Sequence, residues 1–428
     1  MRRIDRWLGL PACAALTLLR KFSGLLSSAR PTHIRRIAFV KLAEQGATVL
    51  AHSAIQRAVN MVGADNVYFV VFEQNRFVLD VMGLIPEQNV IPIRTKGMFS
   101  TIVEALRAIR RMRRLRIDAV VDCEFFARSS AILAYLSGAT TRAGFHAYYG
   151  EASYRGDLMT HRLSFNPLLH ASEMFHLLVE SLAWPAEQLP ACSWKPERDR
   201  EEAPLFHPSA RERDDMRRLI CDVTGRSEPP TLILLNANCS DLLPLRRWPA
   251  ERYVELARRL LDTFPEITIG LTGAPSEEQA ARQLAATMGS PRCVVFAGKT
   301  SLRQLLVLYG FAELLVTNDS GPAQFAALTP IDVITLFGPE TPAVFGSRSP
   351  RSHILWAGVA CSPCVNAYND RQSACANNLC MQAISVDDVF RKACAVYHAR
   401  RSGHPRPVGE NLRPLSAPRG VGLTPGGA

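Results

Sequence analysis

The chain lacks a segment able to cross a bilayer, which takes about 20 apolar residues. Its N-terminal apolar run, 8–19 (LGLPACAALTLL), has only twelve. No clear small-residue cleavage site follows that run, and basic residues return at once at Arg20 and Lys21, which speaks against a removed secretory leader. The eleven cysteines are mostly scattered singly on apolar stretches, as at Cys123, Cys221 and Cys293. That usage excludes a disulfide framework and indicates a reducing compartment. Zinc-finger Cys/His spacing and aromatic-studded basic strands are both missing, so nucleic acid is not the expected partner.

What is present is an enzyme-sized, soluble composition: 428 residues, 47% hydrophobic and 21% charged, enough for two domains with substantial cores. The net charge of +11 favours an anionic partner. With nucleic acid set aside, that leaves a phospholipid surface or a phosphorylated small molecule. The run 8–19, flanked by Arg2, Arg3 and Arg6 and by Arg20 and Lys21, reads as an interfacial helix with Trp7 at the headgroups. The plainer alternative is an amphipathic helix packed on the body.

Strand and helix patterns alternate twice along the chain. In the first half, apolar strands at 36–41, 67–72, 90–93 and 117–122 are separated by helices at about 48–61, 76–82 and 99–115, and a helix follows at 127–136. The 99–115 helix sets Phe99, Ile102, Val103, Leu106, Ile109 and Met112 at helical spacing, with Arg107, Arg110, Arg111 and Arg114 on another face. Residues 149–196 read as mostly helical. The second series has strands at 232–235, 267–271, 294–296, 314–317 and 333–337, with helices at 250–261, 276–288, 301–309 and 322–328. Continuous apolar strands alternating with helices imply α/β architecture with parallel sheets covered on both faces. The expected organisation is an N-terminal helix and linker at 1–33, a first domain at 34–195 and a linker at 196–230. A second domain follows at 231–400, then a disordered tail at 401–428.

Four polar loops fall at strand ends in the second half: 236–248 (NANCSDLLPLRRW), 272–278 (TGAPSEE), 319–322 (DSGP) and 337–341 (FGPET). The third is the most informative. A short strand, a tight turn and a helix opening near Gly321, with Pro322 in its first turn, place backbone N–H groups and the positive end of a helix at one point. Such a turn suits a phosphate or simply caps a helix. Four turns in the same positional role, with Arg246 and Arg247 nearby, suggest a nucleotide-diphosphate pocket between two tandem sheets.

The segments RRWPAERYVELARRLL (246–261), LTGAPSEEQ (271–279), FAGKTSLRQLL (296–306), TNDSGPAQFAAL (317–328) and ITLFGPETP (334–342) resemble, in order and spacing, the ADP-heptose:lipopolysaccharide heptosyltransferases of glycosyltransferase family nine. Weaker likeness extends over 37–59, 118–145 and the CSPC segment at 361–364. The resemblance implies a GT-B fold: two Rossmann-like doubly wound domains facing across a cleft, acceptor on the first and donor nucleotide sugar on the second. It also implies inverting transfer with no metal required for chemistry. By position, Asp319, Ser320, Gly321 and Pro322 would meet the donor's pyrophosphate and sugar. Arg246 would neutralise the phosphates, Glu277 or Glu278 would lie near the ribose, and Asn236, Asn238, Thr272, Gly273 and Gln324 would line the donor side. Gly46, Asp122, Arg128 and Arg142 fall on the acceptor side.

The chain departs from the family pattern at three points. Ala47 stands where an aspartate base is usual, Gln324 where a histidine is common, and Asn236-Ala237-Asn238 where His-Pro-Gly is usual. Glu44, in the same loop as Ala47, is the substitute base candidate, with Asp122 and Glu124 as alternatives. Cys361, Cys364, Cys375 and Cys380 have spacings compatible with a structural zinc or with free thiols. His161, His170, His176 and Glu173 match no metal spacing. The reading is sugar transfer, with heptose from ADP-heptose foremost and UDP or GDP sugars as alternatives. The acceptor would be lipid-linked or of lipopolysaccharide type, met by a peripheral enzyme at the cytoplasmic face of an inner membrane. The competing reading is a catalytically inactive relative that binds nucleotide sugar or glycolipid as a sensor or scaffold.

Overall fold

The computed structural model of the protein describes residues 5, 7–24, 33–196, 202–239 and 243–402. The first sheet contains β1 (Ile37–Val40), β2 (Val67–Phe72), β3 (Val90–Ile93), β4 (Ala119–Asp122), β5 (Thr141–Phe145) and β6 (His161–Leu163), in the order β3-β2-β1-β4-β5-β6. The second contains β7 (Thr231–Asn236), β8 (Ile267–Leu271), β9 (Cys293–Val295), β10 (Ala312–Asn318), β11 (Asp332–Phe337) and β12 (Ser352–Trp356), in the order β12-β11-β10-β7-β8-β9. All pairings are parallel. The two sheets have the same doubly wound topology, each with its strand order reversing between its first and fourth strands. The loops leaving that point flank the crevice where such folds bind ligands.

Helices cover both faces, which is why β1 and β4 are buried along their whole length and read as unbroken apolar runs. One apolar cluster crosses from half to half. Phe77 meets Phe325 edge-on with ring centroids 6.3 Å apart, and Phe125 meets Phe345 at 6.0 Å.

Three strands were not expected from the sequence. β5 carries Arg142 and Gly144 in five residues, β6 has only three residues, and β12 includes Ser352 and His353. Polar or short strands lose the apolar signal that marks the others. The stretch 149–196 is accordingly less helical than anticipated, with one α-helix at Ala171–Glu180. The helix expected over 48–61 is two, Gln45–Leu50 and His52–Val62. Helix Ala210–Thr224, within the expected linker, opens on a Ser209/Glu212 capping box and packs on Leu302–Tyr309 of the second half. Helix Val386–Ser402 closes the described chain against β10, β11 and helix Ala250–Thr263. It includes Arg401 and Ser402, and the remainder of the expected tail lies outside the described residues.

Candidate functional site

The loops leaving both strand-order reversals converge on one cluster of charges. Glu44 follows β1 and Glu124 follows β4; Arg246 lies beyond β7 and Asp319 directly after β10. Glu340, after β11, and Arg371, from the loop after β12, complete the set. Arg246 donates to Glu340 at 2.5 Å and to the Asp319 carbonyl at 3.2 Å, and its Nε lies 3.7 Å from Asp319 Oδ2. Arg371 ion-pairs with Glu44 and stands 3.5 Å from Glu340. Lys41, at the end of β1, lies 3.0 Å from Glu124 and 3.6 Å from Glu44. Helix Gly321–Ala326 packs on helix Gln45–Leu50, so closely that a Cβ on Gly46 would come within 2.9 Å of Gln324 Cγ.

Lys41, Asp319 and Glu340 are buried at the centre of this cluster, and Glu44, Glu124, Arg246 and Arg371 are half-buried around them. Glu340 is 2% exposed and Asp319 5%. Burial works against charge on Lys41, Arg246 and Arg371, yet the carboxylates around them more than offset it and raise all three affinities for a proton. Burial likewise pushes the Asp319 carboxyl well above its ordinary range, against the pull of Arg246. Arg246 Nε, Asp319 Oδ2, Glu340 Oε1 and Gln324 Oε1 are buried without a hydrogen-bond partner. Three of these atoms keep ion-pair partners beyond hydrogen-bond range, Arg246 Nε with Asp319 Oδ2 and Glu340 Oε1 with Arg371 Nε, so the seam retains hydrogen-bonding capacity that a polar guest could use.

The backbone is strained at the same place. Glu44 (φ 68°), Asp370 (φ 54°) and Arg371 (φ 52°) adopt the left-handed region without being glycine. Two side chains fix the loops of the cluster, one in each half. Asn318 accepts from the Trp248 amide at 3.0 Å and donates to the carbonyls of Ala237 (3.1 Å) and Asn238 (3.2 Å). Glu124 accepts from the amides of Leu42 (2.8 Å) and Ala43 (3.0 Å), holding the loop that carries Glu44.

Not every expected site residue faces this seam. The Asn236 side chain donates to the carbonyl and hydroxyl of Thr272, tying two strand ends together. Glu277 caps the turn at Ala274 at 2.7 Å, and Gly273 is hemmed in by Asn238 and Glu277. Gln324 donates to the Phe345 carbonyl at 2.8 Å. On the acceptor side, Asp122 is spent on Arg155, Ser130 and the Glu124 amide, and burial raises its carboxyl to about 6. Arg128 donates to the Tyr154 carbonyl beneath the N-terminal helix, and Arg142 to those of Leu158 and Ala139. These three are placed as structural groups of the first half. The histidines are structural too: His161 contacts the Trp184 carbonyl, His170 the Gly346 carbonyl, and His176 Glu180.

Ser320, Gly321 and Pro322 are half-buried at the start of the short helix Gly321–Ala326, which packs on helix Gln45–Leu50 of the first half. Lys41, Glu340 and Arg371 escaped the sequence reading. Lys41 closes an ordinary-looking strand, Glu340 was visible only as part of a polar turn, and Arg371 sits in a loop with no periodic pattern.

The four cysteines whose spacing is compatible with a structural zinc or with free thiols line one cavity of about 110 Å3 with Leu245 and Pro339. Cys375 donates to the Asn377 carbonyl at 3.0 Å, and Ser373 to Cys364 Sγ at 3.3 Å. Among the described residues no three His, Cys, Asp or Glu side chains are gathered to hold a metal ion.

The glycosyltransferase family 9 (heptosyltransferase) model matches residues 105–374, well over half the chain and including Arg246, Asp319, Glu340 and Arg371. The chain belongs to that family. Lipopolysaccharide heptosyltransferase 2 of Salmonella typhimurium is 29% identical over 156 residues, which span 36% of this chain and 44% of that protein. The aligned stretch is thus under half that relative's length. Among solved structures, the E. coli ADP-heptose lipopolysaccharide heptosyltransferase II has a TM-score of 0.63 at 18% identity, covering 86% of this chain and 99% of that one. An E. coli heptosyltransferase solved with ADP has a TM-score of 0.57 at 18% identity, over 84% and 99%. These likenesses establish the GT-B fold for the family 9 chain.

Proposed function

We propose that this family 9 protein is an inverting glycosyltransferase. It would transfer heptose from ADP-heptose to a lipopolysaccharide-type or other lipid-linked acceptor at the cytoplasmic face of a membrane. The observation that carries the reading is the apposition of Glu44, from the first sheet's reversal point, with Arg246 and Asp319 from the second's.

In this reading the acceptor hydroxyl loses its proton to the Glu44 carboxylate as its oxygen attacks the anomeric carbon from the face opposite the nucleotide. The bond from that carbon to the diphosphate oxygen breaks, and ADP departs with its new charge met by Arg246. Arg371 gives the step its order. A diphosphate offers a guanidinium a bidentate partner that competes with a carboxylate, so donor entry draws Arg371 from Glu44 toward the phosphates. That exchange opens the seam and releases the base only once the donor is seated.

Calorimetric titration against ADP, UDP and GDP, followed by transfer from ADP-heptose, tests the proposal. Preferential ADP binding with turnover is expected; no binding of any of the three would overturn it. The second reading, an inactive nucleotide-sugar sensor, draws on Ala47 at the usual base position and on Arg371 closing the seam. It predicts ADP-sugar binding with no turnover on any acceptor.

A further inference from the structure

The N-terminal helix, Gly9–Gly24, is packed inside out. It packs on helix Arg128–Leu136 and the loop at 155–157, burying its small residues Gly9, Cys13 and Thr17: a Cβ on Gly9 would come within 2.8 Å of Arg128, and Thr17 accepts from the Asp157 amide at 2.9 Å. Arg20 pairs with Asp157 to fasten its far end. The large apolar side chains point outward instead: Leu8, Leu10, Leu18, Leu19 and Phe22, with Trp7 just ahead of the helix, are all exposed. A helix held only by the hydrophobic effect would do the reverse.

Helix Met98–Arg114 lies on the same helix Arg128–Leu136 and shares one apolar cluster with Cys13. Its buried face carries Ala108, Ile109 and Met112. Its outer stripe, taken in steps of three and four residues, is Phe99, Ile102, Leu106, Arg110 and Arg114, all exposed and Phe99 by 79%. The first half of that stripe is apolar and the second half cationic. Contiguous exposed apolar side chains continuing into arginines mark a surface that contacts a partner both apolar and anionic.

We infer that the outer faces of these two helices form one docking surface for an anionic phospholipid bilayer. Neither helix enters as a span: among the described residues no helix is long and apolar enough to cross a membrane, and the 16-residue N-terminal helix is about 24 Å long. Both lie in the interface. Their apolar side chains reach the acyl boundary, and Lys21, Arg110 and Arg114 meet the phosphates. The inference rests on the proposed function for its purpose, because a lipid-linked acceptor requires the enzyme at a bilayer, but not for its geometry.

The test is co-flotation of the full chain with vesicles of phosphatidylcholine alone or with added phosphatidylglycerol. Binding to the anionic vesicles alone is expected. Two variants, Phe99→Ser/Ile102→Ser/Leu106→Ser and Arg110→Glu/Arg114→Glu, should each weaken it by about tenfold or more. Both change exposed positions, and ADP titration reports whether the fold survives. Lost vesicle binding with ADP binding intact supports the surface. Equal binding by the Phe99/Ile102/Leu106 variant and the parent would overturn it. So would a parent that ignores vesicles but self-associates through this face, with the variant monomeric. Vesicle binding without ADP binding would sink the transferase reading and leave the surface standing.

Discussion

Arg371, carried by the second half of the chain, ion-pairs with Glu44, carried by the first. Its guanidinium also lies 4.8 Å from the Phe345 ring and 5.8 Å from that of Phe125, one ring from each half. The loop that bears it is anchored on the first half a second time, where Tyr368 donates to the Phe165 carbonyl at 2.5 Å. The seam between the halves is therefore pinned by a side chain of the charged cluster itself.

Removing that pin should be costly. Arg371→Ala leaves Glu340 with Arg246 and Glu44 with Lys41 alone; because Glu44 is half-buried, the loss should fall below the about 3–5 kcal/mol of breaking a fully buried pair. Denaturant unfolding should show the loss, and transfer should fall with it. Arg371→Lys restores charge but not the fork, so stability should recover further than kcat/KM. Full activity in Arg371→Ala would eliminate the exchange step.

Glu44→Gln isolates the proton transfer. The amide keeps the shape of the side chain while abolishing its basicity, so kcat should drop by about 10²–10⁴-fold with ADP affinity nearly unchanged. Because Glu124 holds the same loop through two backbone amides, Glu124→Gln should act chiefly through stability and KM. Undiminished turnover in Glu44→Gln would remove it as the base.

Arg246→Ala should weaken ADP binding by about 10- to 100-fold, the scale of one charge-assisted hydrogen bond. Isothermal titration measures it. The loss should exceed that of Arg247→Ala, since Arg246 is the guanidinium aimed at Asp319 and Glu340.

His170 links the halves through the Gly346 carbonyl at 2.8 Å, and burial lowers its proton affinity from 6.5 to about 3. The native state resists a proton that the unfolded chain accepts. Its contribution is intact above about pH 6.5 and is lost as pH falls, by up to about 1.4 kcal/mol per unit toward the folded value. Thermal unfolding of the parent should therefore lose stability on acidification more steeply than that of His170→Gln. Parallel curves would refute the assignment.

Chelation should leave transfer unchanged, since no step of the proposed reaction uses a metal. Steady-state rates with and without EDTA, beside Cys361→Ser, provide the check. A rate that falls with EDTA and returns with zinc would require a different mechanism.

The doubly wound plan was legible because strands buried on both faces must be written as continuous apolar runs, whatever lies around them. β2 and β8 match the expected spans for that reason. Asp319 and Arg246 were legible as site candidates because turn chemistry and family likeness mark them locally. β6 and β12 were hidden, being edge strands with too few residues or too much polarity to declare a period.

Sequence by itself determined that two α/β units stand in tandem, and that polar loops leave their strand ends. It could not determine which charges from one unit would face those of the other, because ion pairing across 327 positions depends on how two sheets dock. Tertiary structure decided that Arg128, Arg142 and Asp122 are spent on internal contacts. It also decided that Arg371 stands between Glu44 and Glu340, and that the N-terminal helix turns its large apolar residues outward. Local propensity fixes what each segment becomes; only packing fixes which face is left over.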